Sequence, residues 1–323
     1  MQAAGLNPLP IALASLKEPG CLAVVEDWLD EVEAGVILNT TGFAQSSPEA
    51  PHLRPFRRNI PVIQAICAQD NEPGWRASEQ GLGPRDLAMH IALPELDGRI
   101  ISRPIRFKDL AWRSERSLSD VVCYRAQPER MDFVAQLARR WIDLARLPNG
   151  EKRIALILAN YPTRDGRIGN GVGLDTPAAA LNILRALHKE GYPLPADLPA
   201  SGTALIQQLL GGVSNDLETL DQRPCQQSLA MDDYLLMFNA LPQVNRQAVL
   251  ERWGAPDSDP MWRGGRMMIA GLRFGLTFVG IQPARGYQVD PSAVYHDPDL
   301  VPPHGYLAFY FWLRNTYGAH GVI

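Results

Sequence analysis

The stretch from Arg153 to Pro177 reads RIALILANYPTRDGRIGNGVGLDTP, and it decides how the second half of the chain folds. Its apolar start, residues 153–160, predicts a buried strand. A loop with four glycines follows, and the tripeptide 175–177 (Asp-Thr-Pro) is a typical helix start with Asp175 as the capping residue. A strand, a loop and a helix in this order indicate an α/β fold, in which ligands bind beyond the carboxyl ends of parallel strands.

The glycines of this loop admit two interpretations. Gly169, Gly171 and Gly173 permit positive φ angles and let the backbone approach a ligand or another segment closely. The helix start offers free N–H groups to an anion, although the Asp175 cap disfavours a phosphate there. The spacing fits neither a P-loop nor a dinucleotide fingerprint. A tight, self-capped connection explains the loop equally well, so both interpretations stay open.

The composition limits the function classes. The chain has 323 residues, of which 46% are hydrophobic and 20% charged, with a net charge of −4. No basic block occurs, which argues against nucleic-acid binding. The four cysteines lie far apart and form no CxxC pair, as expected in a reducing compartment. No apolar run approaches the roughly 18 residues of a membrane span. We predict a cytoplasmic protein without membrane segments.

The hydrophobic pattern predicts alternating strands and helices in both halves. In the first half, strands are predicted over 9–16, 35–44 and 60–68, helices over 21–34 and 128–147, and a strand pair around the turn 97–98 within 94–108. In the second half, helices are predicted over 177–190, 199–212 (with Ser201 as cap) and 305–318, and strands over 276–287 and from 319. The predicted fold class is α/β, with two Rossmann-like units whose parallel sheets are flanked by helices. An N-terminal α/β domain is expected over 1–150 and a glycine-loop domain over 151–323, truncated at its C-terminal strand.

Several segments together resemble one protein family. The string ANYPTRDGRIGNGVGLDTPAAALNILRALHKEGYPLP resembles the large subunit of the cobalt chelatases of cobalamin biosynthesis. Further matching segments follow the family's order: SLKEPG, ILNTTGFA, GLGPRDLAMHIALPELDGRI, VGIQPARGY and YHDPDLVPPHGYLAFYFWLRNTYGAHGVI. The related large subunit of magnesium chelatase carries a looser version. Family members are several times longer and continue into a His-x-Gly-x-His-Gly segment, so we expect an internal fragment that is inactive as a chelatase alone.

The resemblance implies a function and partners. It implies part of an ATP-dependent cobaltochelatase, a ligase that inserts Co²⁺, the substrate metal, into a cobyrinic-type tetrapyrrole. ATP would be hydrolysed by an AAA+ ATPase partner, which agrees with the lack of an ATP-binding motif here. A second partner subunit would carry an integrin-like metal-binding module. Two alternatives remain: a non-catalytic module for tetrapyrrole binding or subunit assembly, and the magnesium branch. The strings NYPTRDGRIGNGVGLDTP and HDPDL favour cobalt.

Histidines and aspartates are the candidates for the chemistry of metal insertion. The reaction strips water from the metal and removes two pyrrole protons, tasks that suit imidazoles and carboxylates. The richest group is YHDPDLVPPH, from which we predict His296, Asp297 and His304 as catalytic. His304 and His320 are the candidate metal ligands. A solvated loop whose aspartates cap turns, and a buried structural histidine, are the competing interpretations.

Candidate substrate-binding residues lie at predicted strand ends. Asn39, Thr40 and Thr41 follow a strand of the first half. Arg164 and Arg167 in the glycine loop can pair with tetrapyrrole carboxylates, with the backbone of the loop glycines (Gly169, Gly171, Gly173) beside them. If the strands near 153–160 and 276–282 belong to one sheet, the glycine loop and the histidine loop emerge at the same edge.

Overall fold

The computed structural model describes residues 1–46, 56–160, 165–171, 173–287 and 299–323. The chain forms two compact units, Met1–Arg146 and Leu147–Ile323. Each unit contains a sheet with parallel strands flanked by helices, so the predicted mixed α/β class is confirmed. An antiparallel strand also extends the sheet of each unit.

The elements of the first unit are mostly short apart from two long helices and one hairpin. Its helices are α1 Pro19–Glu31, α2 Glu72–Ala77, α3 Pro84–Leu87, α4 Leu93–Leu96 and α5 Pro128–Arg146, with a π-helical turn over Ala88–Ala92. Its strands are β1 Ile37–Asn39, β2 Val62–Ala68, β3 Ile100–Ser114 and β4 Ser119–Ala126.

The second unit carries the glycine loop. Its helices are α6 Thr176–Lys189, α7 Gly202–Leu210, α8 Met231–Asn239, α9 Gln243–Trp253 and α10 His304–Phe311, which continues into a π-helical turn over Trp312–Thr316. Its strands are β5 Ile154–Leu158, β6 Asn170–Gly171, β7 Leu174–Asp175, β8 Gln227–Ala230, β9 Trp262–Arg263, β10 Arg266–Ile269, β11 Gly271–Phe274, β12 Thr277–Ile281 and β13 Gly321–Val322.

The sheet of the first unit has the order β1-β2-β3-β4, with the first three strands parallel and β4 antiparallel. All seven residues of β2 are buried, as its largely apolar sequence, interrupted only by Gln64, predicts. Successive side chains of β2 point to opposite faces. Ile63 packs with Val134 of α5, and Val62 packs with Val25 of α1, so helices cover both faces.

Two predicted features of the first unit are wrong. Residues 9–16 form no strand, although the segment is apolar, and Leu9 is half exposed. The turn at Asp97 does not join two strands, because residues 93–96 form the short helix α4. The long strand β3 begins only after this turn and pairs with β4 instead. The Asp-Gly pair therefore ends a helix here, with Gly98 at a φ of 66°.

The main sheet of the second unit has the order β11-β12-β5-β13. β12 and β13 both run parallel to β5, while β11 forms an antiparallel hairpin with β12. The connection from β12 to β13 runs through α10, and the aromatic ring of Phe278 on β12 contacts Trp312 at 4.9 Å between centroids. The aromatic run of this helix forms core, as the sequence predicts for most of its members.

A second, antiparallel sheet of order β8-β10-β9 also belongs to this unit and was not predicted from the sequence. Its strands have two to four residues, too few for a pattern of alternation to be recognised. In the part of the chain that the structure describes, no helix is both long and apolar enough to cross a membrane.

Candidate functional site

Two loops leave the same edge of the second unit's main sheet. β5 and β12 are neighbouring parallel strands, with Leu158 opposite Ile281 in the register. The glycine loop follows β5, and residues 282–287 follow β12. Both strands therefore belong to one sheet, and its carboxyl edge is where ligands bind in such sheets.

The glycine loop is a tight connection that caps its own helix. Gly169 and Gly173 have φ angles of 68° and 75°, which favour glycine. The Gly169 N–H donates to the Ala159 carbonyl at 2.7 Å, and the Asp175 carboxylate accepts from the Ala178 N–H at 3.0 Å. The loop lies between strand and helix as predicted. The Gly169 N–H and the Ala178 N–H of the helix start are thus already hydrogen-bonded within the loop. A substrate contact at the loop glycines stays a prediction.

The same loop is anchored by Arg223, whose side chain is 18% exposed. Its Nη2 lies 2.7 Å from Asp165 Oδ2 in the glycine loop and 3.1 Å from Asp216 Oδ2. Its Nε donates to Thr219 Oγ1 at 2.8 Å, and its Nη1 donates to Ser214 Oγ at 3.0 Å. One guanidinium therefore joins the glycine loop to residues 210–219. The hydrogen bond from Thr219, with smaller contributions from the Glu218 N–H and the Arg223 charge, lowers the pKa of Asp216.

The segment after β12 is fixed by buried polar groups. Asn215 donates to the Gln282 carbonyl at 2.9 Å and accepts from the Ala284 N–H at 3.2 Å. Further along, the Tyr287 hydroxyl donates to Asp259 Oδ1 at 3.3 Å. Burial raises the pKa of Asp259 against the lowering effect of its hydrogen bonds, and burial also raises the pKa of Tyr287.

Asp259 also holds the start of α10. Its Oδ2 accepts from the Gly305 N–H at 2.9 Å, so one carboxylate joins the segment after β12 to this helix. A side chain at Gly305 would place its Cβ 2.7 Å from the Tyr287 hydroxyl, which explains the glycine. The motifs VGIQPARGY and PPHGY therefore meet through Asp259.

Two exposed arginines lie at this edge. Arg167 belongs to the glycine loop and Arg285 to the segment after β12, and both side chains are exposed. Neither makes an ion pair with the residues that the structure describes. The acids of the glycine loop are engaged, Asp165 by Arg223 and Asp175 by its helix. The edge therefore presents free guanidinium groups, which match carboxylates in geometry and charge. Arg164, His296 and Asp297 lie outside the described residues.

His304 is fully buried, and both of its ring nitrogens are engaged. Nε2 lies 3.0 Å from the Gly254 carbonyl, which can only accept, so Nε2 carries the proton. Nδ1 therefore accepts from the Tyr234 hydroxyl at 2.6 Å. An imidazole held in this way has no lone pair left for a metal ion or a substrate proton. The structure thus differs from the predicted metal-binding and catalytic roles of His304, because those roles need an accessible nitrogen.

His320 lies at the opposite edge of the sheet, before β13, whose Gly321 pairs with Ile154 at the start of β5. Nδ1 accepts from the Arg153 N–H at 3.0 Å, and Nε2 lies 2.9 Å from Arg153 Nη2. Burial and the charges of Arg153 and Lys152 lower the pKa of His320, so it stays neutral. The helix and π-turn between the two histidines have 8 and 5 residues. At 1.5 Å per residue they separate the rings by on the order of 20 Å. His304 and His320 therefore cannot bind the same ion.

The predicted contacts of the first unit cluster around Asn39. Its Nδ2 donates to Gln64 Oε1 at 2.8 Å, and its Oδ1 accepts from the Thr41 hydroxyl at 2.9 Å. The Thr41 carbonyl accepts from Gln64 Nε2 at 2.9 Å and from Arg99 Nη1 at 3.4 Å. Asn39 is buried and fixes the following loop, whereas Thr40 and Thr41 are exposed. Of the three, only the threonines can contact a ligand in this arrangement.

The described residues contain no group of three or more His, Cys, Asp or Glu side chains arranged to hold a metal ion. The described residues do offer exposed guanidinium groups at Arg167 and Arg285, which suit anionic partners.

Comparison with known proteins places the chain in a family. The family model described as CobN/Magnesium Chelatase matches residues 1–323. The chain belongs to this family. Within the CobN/Magnesium Chelatase family it is 76% identical to the aerobic cobaltochelatase subunit CobN of Pseudomonas aeruginosa, over 100% of this chain and 26% of that protein. It is 29% identical to a magnesium-chelatase subunit of Chlorobaculum parvum, over 93% of this chain and 23% of that protein.

A solved structure agrees with this membership. The catalytic subunit of cobaltochelatase from Mycobacterium tuberculosis is similar with a TM-score of 0.78 and 33% sequence identity, covering 99% of this chain and 27% of that one. The chain spans about a quarter of the length of the CobN/Magnesium Chelatase relatives that it matches. The resemblance inferred from the glycine-loop string and its companion segments is thus confirmed.

Sequence reasoning missed several residues of the site. Arg285 and Tyr287 stand in VGIQPARGY, a segment that carries the family resemblance, and an arginine beyond a strand end was a usable signal. Arg223, Tyr234 and Asp259 carry no comparable signal. Their partners lie 58, 70 and 46 residues away in sequence, and only the fold brings them together.

Proposed function

We propose that this chain forms part of the tetrapyrrole-binding subunit of an ATP-dependent cobaltochelatase, which inserts Co²⁺ into a cobyrinic-type tetrapyrrole. The observation that carries the proposal is the match of the CobN/Magnesium Chelatase family model to residues 1–323. The proteins that share it are named as cobalt and magnesium chelatases, so insertion of a divalent metal into a tetrapyrrole is the shared activity.

The degree of identity favours cobalt over magnesium as the substrate metal. The chain is 76% and 41% identical to two aerobic cobaltochelatase subunits, from Pseudomonas aeruginosa and a Sinorhizobium species. Identity to the magnesium-chelatase subunit of Chlorobaculum parvum is 29%. The strings NYPTRDGRIGNGVGLDTP and HDPDL point the same way.

In the proposed reaction the described residues hold the ring rather than the metal. Carboxylate side arms of the tetrapyrrole bind Arg167 and Arg285, two exposed arginines on loops that follow neighbouring strands. Arg164, beside the glycine loop, is a third candidate. Fixing the arms orients the pyrrole nitrogens and lowers the entropic cost of metal insertion.

The proton and metal steps are assigned to residues outside this arginine edge. We propose that His296 and Asp297 accept pyrrole protons, because an imidazole and a carboxylate take protons near neutral pH. We assign ATP hydrolysis to a partner AAA+ ATPase subunit. A second partner subunit carries an integrin-like metal-binding module. His304 holds the start of α10 in place, through Tyr234 and Gly254.

One observation favours a second candidate, a tetrapyrrole-binding or assembly module with no chemistry of its own. Among the described residues no cluster of metal-ligating side chains occurs, and both described histidines of the second unit's sheet edges are engaged in hydrogen bonds. In that case this chain binds the carboxylate arms of the tetrapyrrole, and residues elsewhere in the subunit bind the metal ion.

Metal insertion distinguishes these functions. The chelatase subunit that carries these residues is combined with its ATPase and metal-module partners, ATP and a metal-free cobyrinic-type tetrapyrrole, and formation of the metal complex is followed by absorbance. The proposal expects turnover with Co²⁺ that exceeds turnover with Mg²⁺ and that fails without ATP. The 323-residue chain should bind the tetrapyrrole but insert no metal. Faster insertion of Mg²⁺, or no binding of tetrapyrrole, would overturn the cobaltochelatase assignment.

A further inference from the structure

A cavity of about 400 Å³ lies within the first unit. Three segments form it: Ser15 to Lys17 before α1, Thr41 to Gln45 after β1, and Arg99 before β3. Apart from Gln45, these residues belong to SLKEPG, ILNTTGFA and the end of PELDGRI, three separate strings that carry the family resemblance. The volume lies at the lower end of the range for small-molecule sites.

The charged groups of this cavity are both positive. Its described lining includes Lys17 and Arg99 and contains no aspartate or glutamate. The exposed Lys17 ammonium makes no ion pair with any described residue. A site with this lining repels cations and attracts a single negative charge.

Arg99 is part of the buried framework and yet keeps free donors. Its side chain is 2% exposed, and its Nη2 donates to Asp97 Oδ2 at 2.7 Å. Its Nη1 donates to Gln64 Oε1 at 3.1 Å and to the Thr41 carbonyl at 3.4 Å. These bonds use three of the five N–H groups of a guanidinium, and the other two find no acceptor among the described residues.

The carboxylate of Asp97 holds the Arg99 guanidinium in place through their ion pair. Burial alone would raise its pKa, but hydrogen bonds from the backbone of Ser46 and Gln45, the Ser46 hydroxyl and the Arg99 charge together lower the pKa of Asp97. Asp97 therefore remains charged and holds Arg99 in a fixed orientation at the cavity wall. A preorganised guanidinium loses little entropy when an anion binds.

An exposed aromatic ring stands beside these two cations. Phe43 has a φ angle of 64° and is 52% exposed, a conformation and an environment that a bulky apolar residue rarely adopts. Its N–H donates to the Met89 carbonyl at 2.9 Å. Gly42, whose added Cβ would lie 3.2 Å from that carbonyl, lets the loop rest on the π-helical turn. The structure thus maintains a strained backbone in order to present the ring.

We propose that this cavity binds a carboxylate that is attached to a flat apolar body. Lys17 and the free N–H groups of Arg99 bind the carboxylate, the Ser15 and Thr41 hydroxyls lie beside it, and Phe43 packs against the body. The inference goes beyond the proposed function. The ligand is either the arm of a tetrapyrrole or a free aromatic carboxylate, since both present the same chemistry to these residues.

Binding of 3-phenylpropionate to the 323-residue chain tests the proposal, because this probe joins a carboxylate to a flat apolar ring and is not a tetrapyrrole. Saturation-transfer NMR titrations measure its affinity. The uncharged amide of the same acid should bind at least roughly tenfold more weakly, because it cannot make the charge-assisted contact of the carboxylate. Lys17→Gln should lower the affinity for 3-phenylpropionate by about the same factor. Arg116→Gln, which removes an exposed charge from the same unit, should not change the affinity.

Phe43→Gly separates a binding role from a structural one. Glycine adopts the positive φ without strain, so the melting temperature should not fall while the affinity for the probe drops. Displacement of the probe by a metal-free tetrapyrrole would identify an arm as the natural ligand, and failure to displace it would identify a free carboxylate. Equal binding of acid and amide, or full affinity in both Lys17→Gln and Phe43→Gly, would overturn the inference. Either result would leave metal insertion by the chelatase unaffected.

Discussion

The Tyr234 hydroxyl donates a hydrogen bond of 2.6 Å to Nδ1 of His304, and both side chains are fully buried. The bond joins α8 to the first residue of α10, while Nε2 of the same ring binds the Gly254 carbonyl. This histidine therefore fixes the start of α10. The role of His304 at the start of the segment HGYLAFYFW is therefore to position α10. Its ring nitrogens are not available to a metal ion.

Tyr234→Phe tests that role. The change leaves a buried nitrogen without its donor and should lower the free energy of unfolding by about 1–3 kcal/mol. Urea denaturation measures the difference. Tyr192→Phe is the control, since no hydrogen bond of its hydroxyl occurs among the described residues, and it should change stability by less than about 0.5 kcal/mol. Equal stability of the two variants would contradict the assignment.

Arg223→Met should loosen the glycine loop. The substitution leaves Asp165 and Asp216 without their shared cation, and the low exposure of the guanidinium makes the loss costly, about 2–3 kcal/mol. Thermal unfolding measures this, and hydrogen exchange should show faster opening around residues 165–171. Arg113→Met is the contrast, because its ion pair with Asp120 is largely exposed and contributes at most about 1 kcal/mol. A loop whose exchange rates stay unchanged in Arg223→Met would contradict the anchoring role.

Gly202→Ala should strain the contact between α7 and the start of α6. The added Cβ would lie 2.6 Å from the Pro177 carbonyl carbon, which is backbone and cannot rotate away. Overpacking of this kind costs about 1–3 kcal/mol, measurable by chemical denaturation. Gly166→Ala is the matched control, since no atom lies within 4 Å of its added Cβ, and its effect should be small or stabilising. Similar losses in both variants would show that the close approach at Gly202 is unimportant.

The buried imidazole of His90 should make the first unit sensitive to acid. Burial lowers the pKa of His90 below its ordinary 6.5, against the opposing effect of Asp86. Between the lowered folded value and 6.5 the unfolded chain binds more protons, so the free energy of unfolding falls as the pH drops below about 6.5. Above that pH the imidazole is neutral in both states and contributes no pH dependence.

His90→Met removes the titrating group and should flatten this part of the pH profile. Neither ring nitrogen of His90 has a hydrogen-bond partner among the described residues, so an apolar replacement should not destabilise the fold at pH 7. The exposed His188, changed to Gln, is the control and should leave the profile as in the parent chain. A His90→Met profile as steep as that of the parent would show that other groups cause the acid sensitivity.

The parts of the fold that the sequence predicts are those with a strong local pattern. β5 is a continuous apolar run and β2 is apolar apart from Gln64, and both are buried parallel strands. The amphipathic spacing of 128–147 gives α5, and Ser201 caps α7 through the Ala204 N–H at 3.1 Å. In these segments local pattern and tertiary burial agree.

The errors occur where tertiary contacts override the local pattern. Residues 9–16 are apolar enough for a strand but find no partner strand to complete hydrogen bonding. The Asp-Gly pair at 97–98 is a strong hairpin signal, yet Asp97 is used to hold Arg99 and Ser46. For His304 and His320 the sequence predicts the intervening helix, but it does not show the hydrogen-bond partners of either ring.

The central claim is that the arginine edge of the second unit binds tetrapyrrole carboxylates, and one titration tests it most directly. Fluorescence quenching measures the affinity of the 323-residue chain for a metal-free cobyrinic-type tetrapyrrole. The double variant Arg167→Gln with Arg285→Gln should bind roughly tenfold or more weakly, since two charge-assisted contacts are lost, and the difference should shrink at high salt. The variant Arg314→Gln, which removes an exposed arginine after α10, should bind the tetrapyrrole as the parent chain does. Absence of binding by the parent chain, or equal affinity of the parent and the double variant, would contradict the claim.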